Sequence, residues 1–260
     1  HQREQFLLKP HSLFIKMFYY GWIKFFKKFL IKRKNVFIQA INEKIFKNFI
    51  DLGINNKNII KIPNGISCKN YNDVNKSQRK EIYFGYVGRL IKSKNIRFLL
   101  RSFRQYLSDY PNDKLLIFGK GPEELFILKF IKENNLGKNV IFRGFERNKK
   151  KIYSEINVLI HPSFGEGVPM TILEAILANT FVIASNVSGI NDIIEHKVTG
   201  LLFNPFIRED LIKQIKYFKE SSDLVKNMKI NARNKIFQYY DIDIVSNQIY
   251  EFLKLRLDFK

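Results

Sequence analysis

The sequence predicts an α/β protein built on a doubly wound parallel sheet, and three observations support this. From about residue 80 onward, short apolar runs alternate with longer stretches that have helical periodicity. The short runs are apolar throughout, which is typical of parallel strands that are covered on both faces. Several runs end in glycine or proline, at the carboxyl ends where such sheets bind ligands.

The predicted elements of this region follow one another in a regular order. The predicted strands are 82–87, 115–118, 140–142, 158–160, 181–184 and 201–203. The predicted helices lie between or after them, at 96–109, 123–134, 171–178 and 210–220. From residue 223 onward the sequence predicts further helices with few turn residues.

The first 64 residues have a different organisation. A basic aromatic stretch precedes a predicted strand at 36–38, a helix at 43–52 and a strand at 59–62, and Pro63-Asn64-Gly65 predicts a turn. We expect residues 1–64 to be part of one domain, residues 65–240 to form a second, and 241–260 to be a helix returning to the first. The chain begins with His1 rather than Met, and we expect it to be a piece of a longer protein.

The net charge is +21, which suits nucleic acid, an anionic membrane or phosphorylated substrates as partners. Residues 5–42 contain no acidic residue. On a helical wheel, most lysines of 13–34 fall within about 160° of arc, and aromatic residues occupy the rest. Two interpretations stay open, a helix lying in a membrane interface and a helix packed within its own domain. Nucleic acid is disfavoured because no known nucleic-acid motif accompanies the charge.

Cys68 is the only cysteine, which excludes an intrachain disulfide and a cluster of thiolate metal ligands. We expect Cys68 to be an inert thiol. The sequence contains no apolar run of the roughly 18–20 residues that a membrane span needs, and no cleavable signal-peptide pattern.

The segment 161–175 carries the strongest indication of a binding site. His161 ends a strand, a loop containing Glu166 and Gly167 follows, and Pro169 stands at a plausible helix start. Backbone N–H groups at such a start attract phosphate, and Glu174, inside the helix, could accept hydrogen bonds from the two hydroxyls of a ribose. Two carboxylates at this spacing are by themselves more often a solvated pair, and a glycosidase uses such a pair across one bond. The phosphate-binding features favour a transferase.

Three further strand-end loops have related chemistry. Gly88 and Arg89 with Lys94 give a close backbone approach beside two cations that can neutralise a diphosphate. The other two loops contain Lys120-Gly121 and Gly144-Phe145. Each of these residues alone has an ordinary structural explanation.

In these motifs the chain resembles the family 4 retaining glycosyltransferases of the GT-B architecture. The resemblance covers about residues 35–240. The matching segments are 62–66 (IPNG-hydrophobic), 88–94 (GRL-x3-K), 119–122 (G-x-G-P), 166–174 (E-x7-E), 182–185, 188–190 and 200–203. The loop 189–192 departs from the family pattern of Gly-Gly-x-Pro-Glu, so its role is less defined.

The resemblance implies a Rossmann-like donor domain at the carboxyl-terminal side of a GT-B fold, joined to a partial amino-terminal acceptor domain. It implies catalytic roles for Arg89 and Lys94, at the diphosphate, and for Glu166, at the transferred sugar. Glu174 would bind the ribose. The remaining donor-binding residues that it implies are Gly88, Lys120, Gly121, Phe145, Gly167, Val168, Pro169, Met170 and Thr171. His1 is either an acceptor-side residue facing the donor sugar or a frayed terminus.

The implied activity is transfer of a hexose-type sugar, with retention, from a nucleoside diphosphate donor to a glycan or lipid-linked acceptor. We expect a UDP-sugar first and GDP-mannose second, no metal or cofactor, and a role in bacterial surface polysaccharide synthesis such as lipopolysaccharide or capsule. We expect a cytoplasmic protein, peripheral on the membrane if residues 13–34 bind it, and weak or no turnover by these 260 residues alone. The alternative is a basic nucleotide- or nucleic-acid-binding module without catalysis.

Overall fold

The computed structural model describes residues 36–71, 74, 76 and 81–257. His1 and the basic stretch 13–34 lie outside the described residues, so the predictions for them stay predictions. The described part of the chain divides into two compact units, one formed by 36–62 with 251–257 and the other by Pro63–Tyr250.

The smaller unit contains two short parallel strands, β1 (Ile38–Ala40) and β2 (Ile59–Lys61), joined through helix α1 (Glu43–Asp51). Asn42 begins α1, because its side chain accepts a hydrogen bond from the backbone N–H of Ile45 at 2.9 Å. Ala40, Ile54 and Ile59 form the buried core of this unit. The first strand therefore lies two residues later than predicted.

The larger unit is built on a six-stranded sheet whose neighbouring strands are all parallel. Its elements in chain order are β3 (Tyr83–Val87), α2 (Ile96–Tyr106), β4 (Lys114–Phe118), α3 (Glu124–Glu133), β5 (Val140–Gly144), α4 (Lys149–Glu155), β6 (Val158–His161), α5 (Met170–Leu177), β7 (Phe181–Ser185), β8 (Leu201–Phe203), α6 (Arg208–Glu220) and α7 (Ser222–Tyr239). Helix α8 (Ile242–Leu257) follows and enters the smaller unit at residue 251.

The strand order is β5-β4-β3-β6-β7-β8, which is the Rossmann order. The chain builds outward from β3 in one direction, then returns to β6 on the other side of β3 and continues outward. The carboxyl ends of β3 and β6 therefore flank the point where the winding direction reverses, which is where such sheets bind ligands. The predicted doubly wound Rossmann-like sheet is confirmed.

Helices cover both faces of the sheet, as the apolar strands predict. Phe84 and Tyr86 of β3 pack with the buried side of α2, whereas Gly85, between them, faces Ile156. A Cβ atom on Gly85 would lie 2.6 Å from the Ile156 side chain, so only glycine fits there. All residues of β6 and β7 are buried.

The sequence analysis missed helix α4. Its sequence, KKKIYSE, contains only two apolar residues, Ile152 and Tyr153, and both are buried. Asn148 caps the helix by accepting a hydrogen bond from the N–H of Lys151 at 3.2 Å. The other predicted strands and helices of the sheet region are present with ends shifted by up to three residues.

Cys68 is buried, and burial together with the nearby Asp241 carboxylate raises the pKa of its thiol to about 12. This is the behaviour of an unreactive thiol. Among the helices that the structure describes, none has the length and apolar character needed to cross a bilayer.

Candidate active site

The loops that follow β3 and β4 are fastened to each other by backbone hydrogen bonds. The N–H of Gly88 donates to Phe118 O at 3.0 Å, and the N–H of Leu90 donates to Lys120 O at 2.9 Å. Leu90 O in turn accepts from the N–H of Glu123 at 3.0 Å. The two loops therefore form one continuous surface beside the carboxyl ends of the strands.

Glycines make this close approach possible. A Cβ atom on Gly119 would lie 1.9 Å from Gly88 O, and one on Gly121 would lie 2.6 Å from Leu90 O. Both glycines also have positive φ angles, +149° and +151°. The Gly-x-Gly spacing is thus required by packing between two loops, whatever ligand the surface takes.

The loop after β6 joins the loop after β3 in the same way. The N–H of Phe164 donates to Ser93 O at 3.0 Å, and the hydroxyl of Ser163 donates to the same carbonyl at 3.3 Å. These contacts bring Lys94 to the loop that contains Glu166.

Glu166 is the centre of a charged cluster. Its Oε1 atom accepts from the ammonium group of Lys94 and lies 2.8 Å from Nε2 of His161. Burial acts to raise the pKa of Glu166, but the hydrogen bonds and charges of His161, with Lys94 and Ser163, outweigh it and lower the pKa to about 2. Glu166 is therefore an ionised, half-enclosed carboxylate held by two basic groups.

Arg89 lies beside this cluster with its side chain exposed. Its carbonyl accepts the hydroxyl of Tyr86 at 2.7 Å. Burial raises the pKa of Tyr86, the charge of Glu166 raises it further, and the charge of Arg89 opposes both. The Tyr86 hydroxyl therefore fixes the backbone at Arg89.

Glu174 is buried on α5 and has its own set of partners. Its Oε2 atom accepts from the hydroxyl of Tyr153 at 2.8 Å and lies 3.1 Å from the ammonium group of Lys149. The pKa of Tyr71 is raised by burial and by the charge and hydrogen bonding of Glu174, which places that hydroxyl close to the carboxylate as well.

The two carboxylates are connected by a chain of contacts through the start of α5. Nδ1 of His161 lies 3.5 Å from the hydroxyl of Thr171, and Thr171 O lies 3.0 Å from the hydroxyl of Tyr153. The backbone N–H groups of Met170 and Thr171 are at the amino end of this helix, where N–H groups lack partners within the helix. These contacts therefore link Glu166, which pairs with Lys94, to Glu174, which pairs with Lys149, across the start of α5.

The loop 188–190 packs against the backbone of the loop that contains Glu166. Gly189 has a φ angle of +85°, and a Cβ atom there would lie 2.2 Å from Gly167 O and 2.3 Å from Glu166 O. The loop whose sequence departs from the family pattern therefore packs directly on the backbone that carries Glu166. Val168, next in the chain, is buried, and Pro169 precedes the first helical residue without capping the helix through its side chain.

Two of the residues expected near the base also meet. The ammonium group of Lys120 lies 5.1 Å from the ring centre of Phe145, and that ring is 64% exposed. The exposed face of an aromatic ring beside a cation can stack on a nucleobase. These two side chains come from the ends of β4 and β5.

With this geometry in place, comparison with known families is decisive. Residues 69–235 match the family model described as glycosyl transferases group 1, which is well over half of the 260 residues. The chain belongs to this glycosyltransferase family.

Curated glycosyltransferases resemble the chain over parts of their length. An uncharacterized glycosyltransferase of Methanocaldococcus jannaschii is 33% identical over 137 residues, which are 47% of this chain and 34% of the relative. The capsular polysaccharide biosynthesis glycosyltransferase CapM of Staphylococcus aureus is 25% identical over 247 residues, 87% of this chain and 64% of the relative. The chain thus spans between about a third and two thirds of these two relatives.

Solved glycosyltransferase structures share the fold. The crystal structure of Anabaena HepE in complex with UDP-glucose superposes with a TM-score of 0.78 at 20% identity, covering 89% of this chain and 67% of HepE. The architecture of such neighbours is GT-B, as the resemblance implied.

Several residues of this candidate site were missed by sequence reasoning. The sequence analysis gave His161 only as the end of a strand, whereas the structure places its ring between Glu166 and Thr171. A signal was available, since a histidine at a strand end and an acid five residues later lie on one tight loop. Tyr71, Lys149 and Tyr153 could not be found in this way, because their approach to Glu174 joins segments far apart in the sequence.

Proposed function

We propose that this protein transfers a hexose-type sugar from a nucleoside diphosphate donor to a glycan or lipid-linked acceptor, in the synthesis of a bacterial surface polysaccharide. The observation that carries the proposal is the continuous set of contacts from Lys94 through Glu166 and His161 to Thr171, Tyr153 and Glu174. It spans the switch point of the sheet, where a nucleotide is expected to lie.

The proposed roles follow from the chemistry of the groups. Departure of a nucleoside diphosphate leaves negative charge, which Arg89, Lys94 and the amino end of α5 would stabilise. Glu174 takes the ribose hydroxyls, and Glu166 takes a hydroxyl of the transferred sugar. Lys94 pairs with Glu166 in the structure, so we propose that it moves to the diphosphate when donor binds.

The base would stack on Phe145 beside Lys120 and Gly121, and the backbone of Gly88 and of residues 167–171 would contact the sugar and phosphates. The complex of HepE with UDP-glucose supports a UDP-sugar as the first choice of donor, with GDP-mannose second. Retention of the anomeric configuration is part of the proposal and rests on the family 4 resemblance. The capsular role of CapM supports a surface polysaccharide as the product.

The smaller compact unit corresponds, in this proposal, to part of the acceptor-binding domain. Contact with an anionic membrane through residues 13–34 stays a prediction of the sequence. It is tested by sedimentation with anionic vesicles, where neutralising Lys24, Lys27 and Lys28 should abolish binding.

Calorimetric titration with UDP, GDP, ADP and UMP tests the proposed donor site. We expect saturable binding of UDP in preference to the other three nucleotides. Arg89→Ala should weaken UDP binding by about fivefold to tenfold, because a charge-assisted contact to phosphate is lost. Arg101→Ala, which removes an exposed arginine of α2, should leave UDP binding unchanged. Absence of saturable binding by any nucleoside diphosphate would contradict the proposal.

A further inference from the structure

The partners of Glu174 point to a role for a residue that no motif marks. We propose that Tyr153, with Lys149 as a second support, is a positioning residue that holds the Glu174 carboxylate for the two ribose hydroxyls of the donor nucleotide. The inference rests on the proposed function and adds to it the residues that set recognition of the ribose.

The geometry of Tyr153 is the first step. Its side chain is fully buried on α4, and its hydroxyl lies 2.8 Å from Oε2 of Glu174 and 3.0 Å from Thr171 O. A hydroxyl has one proton to donate, and a carboxylate is the stronger acceptor. Tyr153 therefore donates to the Glu174 carboxylate, and Thr171 O is a second acceptor within reach of the same hydroxyl.

The protonation state of Tyr153 determines which of the two groups donates the hydrogen bond. Burial, together with the charge and hydrogen bonding of Glu174, raises the pKa of Tyr153 far above its usual range. The hydroxyl thus stays protonated and donates to Oε2 of Glu174, so the carboxylate oxygen is the acceptor in this contact. An acceptor-only group is what two ribose hydroxyls require, because both must donate to it.

The carboxylate keeps capacity for a ligand after these contacts. Tyr153 and Lys149 both approach the same atom, Oε2. An ionised carboxylate offers about four acceptor positions on its two oxygens. Tyr153 and Lys149 take two of them and the Tyr71 hydroxyl a third, so one ribose hydroxyl can be added directly and the second by displacing Tyr71. Tyr153 and Lys149 therefore fix the group from one side without consuming its capacity to bind a diol.

Lys149 supplies charge compensation. Its side chain is 41% exposed, whereas that of Glu174 is 11% exposed, so the lysine lies on the solvent side of the acid. A ligand that covers Glu174 removes it from water, and an adjacent cation offsets the cost of that desolvation. Lys149 also follows Phe145 by four residues, which puts it on the segment that leads from the expected base site to the ribose site.

The test compares two nucleotides that differ only in the ribose hydroxyls, UDP and 2′,3′-dideoxyuridine diphosphate. In the 260-residue chain, Tyr153→Phe should weaken UDP binding by about tenfold, as expected for losing a hydrogen bond to a charged group. Binding of the dideoxy nucleotide should change by less than about twofold on the same scale. A residue that merely maintains the fold would affect both nucleotides equally.

Tyr106→Phe is the matched control, because Tyr106 is also fully buried and also donates to a carboxylate, Asp113. It should leave the ratio of the two affinities unchanged. Lys149→Met is a second variant that does not depend on a buried side chain, and we expect about threefold weaker UDP binding with the dideoxy nucleotide unaffected. Its control is Lys129→Met, which removes an exposed lysine from α3.

Two results would overturn the inference. One is equal loss of both nucleotides in Tyr153→Phe and Lys149→Met, and the other is no change in UDP affinity in either variant. Both presuppose that the unmodified chain binds UDP and prefers it to the dideoxy form. Failure of the unmodified chain to bind any nucleoside diphosphate would instead contradict the proposed function, and this inference with it.

Discussion

The larger unit buries two carboxylates in nearly the same chemical surroundings, at opposite ends of its sheet. Asp113 accepts from the hydroxyl of Tyr106 and from the ammonium group of Lys219, the latter at 2.8 Å. Glu174 accepts from Tyr153 and lies beside Lys149. In each case a buried acid, a fully buried tyrosine and a lysine form one cluster.

Their positions in the fold differ. Asp113 immediately precedes β4, at the amino end of the strand, and the ring of Tyr110 covers Lys219 at 4.1 Å. Glu174 lies on the helix that follows β6, at the carboxyl ends of the strands, beside glycine loops and a helix start. The same three side-chain types thus make a sealed structural cluster in one place and a candidate binding cluster in the other. The two clusters therefore differ in the end of the strands at which they lie, and their side-chain composition does not distinguish them.

Replacing Asp113 and Glu174 by alanine, one at a time, tests whether the two clusters have different roles. Asp113→Ala should lower the free energy of unfolding by about 4 kcal/mol, because the buried Tyr106 and the partly buried Lys219 lose their partner, with UDP affinity unchanged. Glu174→Ala should cost about 1 kcal/mol of stability, since Tyr153 retains Thr171 O and Lys149 reaches water, but should weaken UDP binding by about thirtyfold or more. Urea unfolding and calorimetry give the two quantities. The comparison fails if Asp113→Ala reduces UDP affinity as much as Glu174→Ala does.

The pH dependence of stability tests the environment of Glu166, the other carboxylate of the candidate site. The pKa of Glu166 in the folded protein is about 2, below the usual 4.5, so the unfolded chain binds more protons between these values. Glu166 therefore contributes stability that is fully present above about pH 4.5 and is lost as the pH falls toward 2. The loss is at most about 3 kcal/mol.

Glu166→Gln removes this titration, and Glu155→Gln is the control, since Glu155 forms an ion pair with Arg143 and has no contact with the cluster of Lys94, Glu166 and His161 among the ion pairs described. Unfolding free energies measured from pH 6 to pH 2 should fall less steeply in Glu166→Gln than in the parent and the control. Parallel curves for all three proteins would show that Glu166 is not held as an ionised group.

A third prediction concerns Gly189, which packs against the backbone of Glu166 and Gly167. Gly189→Ala should cost about 2 kcal/mol of stability, because its Cβ meets two carbonyl oxygens at a positive φ angle. It should also weaken UDP binding, since the backbone of 166–167 has to move. Gly165→Ala is the control. Gly165 is next to Glu166 on the loop after β6, and a Cβ atom there would meet nothing within 4 Å. Equal behaviour of the two alanine variants in urea unfolding and calorimetry would contradict the proposed support.

The smallest expected effect concerns the base. Phe145→Ala should weaken UDP binding by about threefold, because an exposed ring gives a modest stacking contribution. Leu125→Ala, which removes another exposed apolar side chain, from α3, should have no effect on UDP binding. A calorimetric comparison of UDP with inorganic pyrophosphate completes the test, since pyrophosphate has no base and should not distinguish Phe145→Ala from the parent.

Much of the sheet could be predicted from the sequence, because its strands are apolar runs bounded by glycine, proline and charged turns. The position of β8 was predicted to the residue, and β7 is one residue longer than expected. Helix α4 escaped prediction because its local sequence is mostly lysine. It is helical because Asn148 caps it and because the sheet buries Ile152 and Tyr153.

The candidate site divides in the same way. Arg89, Lys94, Glu166 and Glu174 could be selected because each follows a predicted strand, and parallel strands bring their carboxyl ends together. The contact between Tyr153 and Glu174 could not be derived, since it depends on how α4 packs against α5 across the fold. Roles of these residues toward a ligand stay predictions until the measurements above are made.

The ion pair between Lys94 and Glu166 has one more consequence. Lys94 has an internal counterion in Glu166, so an anion that binds Lys94 must replace a carboxylate. Free phosphate makes a poor exchange, because it takes Lys94 away from Glu166 and its own negative charge repels the carboxylate that is left. In the proposed function, a sugar attached to a diphosphate would give the phosphates to Lys94 and its hydroxyl groups to Glu166. An internal ion pair of this kind would lower the affinity of Lys94 for the small anions that are abundant in a cell, and would lower it less for an anion that also supplies hydroxyl groups to Glu166.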